Sequence, residues 1–331
     1  MNTKIKRLIP VVALFPMCLN AVTYTADPGA GPIDIAGGVT LDASAANFNS
    51  NAVFTGTGDL TIQGGGEVDL IGNSTFVGDV FANNAIDVFN SGSLGDASNT
   101  LFLNAPMNVR ASTTHAQAIR IGANVRIQPA SSGNTTTLSG NVTFDGDHRL
   151  QLGNGFSVAD RNVTISGDIT DGAFTNGRID VDGDNSLFIF SGNNNYDGNT
   201  TVKDAGTRLN IDGTHTGGNL VVTTGAFLGG SGTILFQDSM TITNQGTLDL
   251  ASLVFDVSQF TVTGSAVTIA DYTAGSLSNV PTDLQTVLTN SPGWTLLDTG
   301  TSLQVIPEPG TFSMLAGVLA LGAAFNRRRM R

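Results

Sequence analysis

The chain has 331 residues, a formal net charge of −12, 40% hydrophobic side chains and only 13% charged ones, about half the usual charged share. That balance excludes a charge-driven disordered chain. With only two glutamates (Glu67, Glu308) and three lysines (Lys4, Lys6, Lys203) it also excludes a helical bundle. The 41 glycines and abundant Asn, Asp, Ser and Thr form a turn-rich all-β composition, and the acidic surface excludes a nucleic-acid partner.

At the N-terminus, Lys4, Lys6 and Arg7 precede an apolar run from Leu8 to Leu19 interrupted by Pro10 and Pro16. This reads as a secretory signal over residues 1–26, handed to the secretion translocon, with cleavage between Ala21 and Ala26. The only cysteine, Cys18, falls inside it, so the mature protein is expected to have no disulfide and no thiol chemistry.

From residue 27 to 270 short apolar–polar–apolar triplets recur. Examples are Leu60-Thr61-Ile62, Leu150-Gln151-Leu152, Val163-Thr164-Ile165, Ile179-Asp180-Val181, Leu209-Asn210-Ile211, Met240-Thr241-Ile242 and Leu248-Asp249-Leu250. Alternation with period two puts one face in and one out, the pattern of a half-buried strand, and Gly, Asn or Asp supplies the turn after nearly every one. Coils of about 20–25 residues predict roughly ten to twelve rungs near 4.8 Å apart. Longer strands and hairpin dipeptides, which an antiparallel sandwich would need, are sparse. A glycine-bounded aromatic recurs three times: Gly72–Gly78 around Phe76, Gly140–Gly146 around Phe144, and Gly192–Gly198 around Tyr196. Such a turn predicts rings stacked between neighbouring coils.

Within 190–234 stand Ser191-Gly192-Asn193-Asn194-Asn195-Tyr196-Asp197-Gly198-Asn199-Thr200-Thr201-Val202, then Ala205-Gly206-Thr207-Arg208-Leu209, then Gly225-Ala226-Phe227-Leu228-Gly229-Gly230-Ser231-Gly232. These stretches resemble the autotransporter-associated β-strand repeat, which implies a right-handed parallel β-helix. No membrane-barrel segment follows, so the resemblance implies passenger-like architecture joined to another export route. Residues 271–304, with Pro281, Pro292 and the only tryptophan, Trp294, leave the Gly-rich text. They read as a C-terminal cap, needed because an open rung end invites aggregation. Trp294 to Leu297 and Leu303 to Ile306 are its expected closing strands, and Asp283 to Thr289 a short helical turn.

The last segment, 305–331, contains Pro307-Glu308-Pro309, an apolar run from Phe312 to Phe325, and Arg327, Arg328, Arg329 and Arg331. The 14-residue run, about 21 Å as a helix, is a short transmembrane helix that spans with local thinning, and the arginines anchor its end in the cytoplasm. The triplet, helix and arginine cluster resemble the PEP-CTERM sorting signal. That resemblance implies an exosortase partner which removes the tail near the triplet, transient membrane anchoring, and delivery to the cell surface or an extracellular polysaccharide matrix. Without both ends, residues 22–306 keep 8 basic against 26 acidic side chains, a net −18.

The body offers little chemistry. Asp180-Val181-Asp182-Gly183-Asp184 is the densest acidic run and a weak calcium candidate, but an EF-hand loop wants Gly where Asn185 stands and Glu where Ser191 stands. A solvated turn is the better reading. His115, His148 and His215 lack zinc spacing, and no nucleophile elbow exists. Arg110, Arg120 and Arg126 either pair with outward carboxylates on a solvated strand face or bind acidic sugars. The expectation is a non-enzymatic, exported structural or adhesive protein with no cofactor and no metal. The alternative is a β-helix polysaccharide lyase or hydrolase, for which Gly146-Asp147-His148-Arg149 holds suitable residue types.

Overall fold

The computed structural model describes residues 21–153, 160–173, 176–237, 239–260 and 265–308. The leader's apolar run, Pro309, the 312–325 run and the terminal arginines lie outside the described residues. The chain winds as a parallel β-solenoid of about 11 turns with almost no helix. A 13-stranded first sheet runs from Val22–Tyr24 to Leu288–Thr289. A second 13-stranded sheet starts at Phe48–Ser50, and an 8-stranded third sheet starts at Thr113–His115. Pro32–Asp34 and Val53–Thr55 form a two-stranded piece of their own.

Alternation explains the core directly. Leu60 and Ile62, Leu150 and Leu152, Val163 and Ile165 all point inward at 0% exposure, and the residue between them is half-buried on the outer face. In-register parallel pairing then stacks like on like, as in Val39↔Leu60, Leu60↔Val80 and Val80↔Leu101, so no single turn closes a core but the stack does. Turn length varies, from 17 residues between Val22 and Val39 to 33 between Phe255 and Leu288.

The echoed aromatics are all interior: Phe76, Phe144 and Tyr196 are each 0% exposed. Phe144 and Tyr196 sit two turns apart in sequence, yet their ring centroids are 6.0 Å apart. They meet because the turn between them presents Gly177, where any Cβ would lie 2.3 Å from the Phe144 ring. The repeat-like residues of 191–202 are structural as well. Asn194 donates to the carbonyls of Gly192 and Thr214, and the Tyr196 hydroxyl bonds Thr200 Oγ1, all inside the core.

Two boundaries differ from the sequence reading. Parallel pairing continues past residue 270, through Leu248↔Leu277 and Phe255↔Leu288. Short two-residue strands suffice there, so proline and lost glycine do not end the stack. The closure is the antiparallel hairpin Trp294–Asp298 and Ser302–Pro307, whose second strand pairs antiparallel with Val267–Tyr272. A one-turn 3₁₀ helix, Leu284–Val287, precedes it, capped by the Asp283 side chain. At the other end Val22–Tyr24 pairs with Val39–Leu41, so the folded body begins inside the segment read as leader. Among the described residues no helix is long and apolar enough to cross a membrane.

Candidate functional site: a polar ladder on the second sheet

Eight basic residues lie between 22 and 306, and six gather along the outer face of the second sheet. Arg126, Arg149, Arg178 and Lys203 occupy outward strand positions. Arg110 follows Met107–Val109, and Arg161 reaches in from the turn before the third sheet to donate to the Ala130 carbonyl at 3.3 Å. Register interleaves them with acids and amides: Asp69↔Asp87↔Asn108↔Gln128 in one column, Arg126↔Gln151↔Asp180 in the next.

The upper part holds three carboxyls. Asp87 is fully buried and bonded by Arg110, although the neighbouring Glu67 and Asp69 are only half-buried. Asn108 Nδ2 donates to Asp87 at 2.6 Å and to Glu67 at 2.9 Å. Like charges this close disfavour one another's ionisation. The hydrogen bond to Asp87, then burial, lift Glu67 to about 7, with Arg110 opposing. Burial and then Asp87 raise Asp69 too. This trio is the one group of carboxylates among the described residues whose oxygens approach one another closely enough to share a cation. Sequence reasoning missed it because 20 residues separate Glu67 from Asp87, and only stacking makes them neighbours.

The lower part corrects the reading of Asp180, Asp182 and Asp184. Only Asp184 lies in a turn; Asp180 and Asp182 belong to the strand Arg178–Asp182 and are each 8% exposed. Lys203 and Arg149 reach Asp180 at 2.7 and 3.5 Å, and Gln151 donates to Asp182 at 2.7 Å. Burial and the Asp204 carboxyl raise Asp182. The three do not converge as a ligand set.

The sequence-predicted arginine trio is split. Arg110 joins the ladder, whereas Arg120 is on the first sheet, clamped to Asp145 and lying over the Phe102 ring at 5.4 Å. Arg126 has neither an ion pair with a described carboxylate nor a partner for its buried Nε. Beside it Arg161, 7% exposed, leaves Nε and Nη1 without a partner among the described residues. Burial, and after it the charge of Arg126, lowers the Arg161 guanidinium from its ordinary range. Of Gly146-Asp147-His148-Arg149, only Arg149 enters the ladder; Asp147 and His148 are in the preceding turn.

His115 and His215 are core residues at 0% exposure. Pro307 ends the closing hairpin, and Glu308 donates its backbone N–H to Gly293 at 2.7 Å. Two shallow hollows, of about 170 Å³ by Asp197 and Asn219 and about 350 Å³ by Asn244 and Tyr272, lie elsewhere. No protein-family model, curated protein or solved structure matches the chain. Chemistry must therefore be argued from the ladder itself.

Proposed function

We propose that this is an exported, non-enzymatic surface or matrix protein: an anionic, right-handed β-solenoid that is trimmed by an exosortase through Pro307, Glu308 and Pro309. Right-handed winding follows from the strong preference of parallel crossovers. One observation carries the non-enzymatic part. Two carboxylates of the ladder are committed to their neighbours, Asp87 to Arg110 and Asn108, and Asp180 to Lys203 and Arg149. Oxygens of Glu67, Asp69 and Asp87 lie within 4.8 Å of one another, closer than the separation of about 5 Å or more at which acid and nucleophile flank a sugar bond. The sorting part rests on the C-terminal pattern, which follows directly after the closing hairpin.

The intact mass of the protein from its own cells and medium tests the reading. A C-terminus just beyond the triplet, in protein outside the membrane fraction, is expected. Retention of residues 312–331 would instead make the tail a lasting anchor. A second reading, a polysaccharide lyase or hydrolase, draws on Glu67 being poised near neutrality beside Arg110. It requires depolymerisation of exopolysaccharide that Glu67→Gln abolishes.

A further inference from the structure

The ladder has a defined hydrogen-bond polarity. Asn108 spends its amide N–H groups on Asp87 and Glu67, so its Oδ1 must accept, and Gln128 Nε2 donates to it at 2.6 Å. That fixes the orientation of Gln128 and leaves its Oε1 buried without a partner. On the same outward side of the same strand stands Arg126, with Arg161 at that strand's end. Two guanidiniums and one amide oxygen, each with polar atoms unpartnered among the described residues, therefore lie along one strand and its end.

A buried guanidinium without a counter-charge is costly, and a second, half-buried one beside it adds to the cost. Among the described residues Arg110, Arg120, Arg149 and Lys203 each have an acidic partner. Arg178 and Arg208 have none but are exposed to water, whereas Arg161 is buried and Arg126 half-buried. Guanidinium matches carboxylate oxygens in a planar, bidentate way. The amide oxygen beside it accepts from a hydroxyl. A ligand with both groups on adjoining atoms satisfies all three side chains.

We infer that Arg126, Arg161 and Gln128 form a binding site for a sugar acid, the uronate unit of an acidic polysaccharide running along the second sheet. The carboxylate is held by the two arginines and a neighbouring hydroxyl by Gln128 Oε1. The site names a ligand class for the adhesive reading, but it stands on geometry alone and is independent of how the tail is processed.

The test is calorimetric titration of the mature protein, as recovered from its cells, with trigalacturonate, neutral maltotriose and sodium sulfate in turn. Trigalacturonate is expected to bind and be recovered at unchanged length, maltotriose not to bind, and Arg126→Gln to weaken uronate binding at least tenfold. Arg120→Gln, on the first sheet, should leave it unchanged. Should Arg161 variants fail to fold, Arg126→Gln still decides. Trigalacturonate should raise the Tm of the wild type and not of Arg126→Gln. Equal binding of maltotriose, an Arg126→Gln affinity within twofold of wild type, or binding of sulfate alone would each overturn the assignment. Failure here leaves the sorting reading to the mass measurement, so the two stand or fall separately.

Discussion

Asp87 shows what one side chain can ask of its neighbours. It is fully buried on the outer face and ion-paired with Arg110. Arg110→Leu should cost about 2 kcal/mol in urea unfolding, less than a wholly buried pair because Arg110 is itself partly exposed. Asp87→Asn with Arg110→Leu should recover part of that loss. The interior histidines set a pH dependence. Burial lowers both His115 and His215 from 6.5 to about 4, with a Gly218 carbonyl partly opposing for His215. A lowered histidine is held neutral in the folded state. Stability is therefore full above about 6.5 and falls as acid is added down to about 4, by roughly 3 kcal/mol for each ring. Glu67 works oppositely: its raised pKa favours folding below about 4.5 and loses that contribution as pH rises to about 7. Urea midpoints from pH 4 to 8 should rise through the histidine range, and His215→Asn should flatten the acid side.

At the scale of elements, strands were legible and their neighbours were not. Leu60-Thr61-Ile62 announces a strand by itself, because alternation is local. That Asp180 meets Arg149 and Lys203 depends on turn lengths that vary from 17 to 33 residues, and no local rule gives that register. For the same reason a solvated turn was the natural reading of Asp180 and Asp182, and nothing in the text linked Arg126 to Arg161. Two processing outcomes follow from the terminal strands. Since Val22–Tyr24 is paired into the first sheet, leader cleavage should occur after Ala21, and N-terminal sequencing should begin at Val22 rather than Asp27. Since Glu308 is bonded to Gly293, trimming should fall beyond Glu308. A recovered C-terminus before Pro307 would contradict that expectation.

Over the whole molecule, the antiparallel hairpin covers the edge of Val267–Tyr272 and ends the second sheet. Removing residues 292–308 should bare that edge and drive end-to-end association, read as a concentration-dependent rise in sedimentation coefficient, because open edges recruit strands. The intact chain should not show this rise.

The gathering of cations has a mechanical consequence. Six positive side chains lie along one flank of the solenoid and offset the carboxylates there, whereas only Arg120 and Arg208 stand against the acids of the other faces, so that flank is less negative than the rest. Near a negatively charged gel such a rod feels a torque that rolls it until that flank faces the gel, within the roughly 8 Å over which physiological salt leaves fields unscreened. The molecule then settles lengthwise, like a log on sand, and covers the surface by its side rather than by its tip.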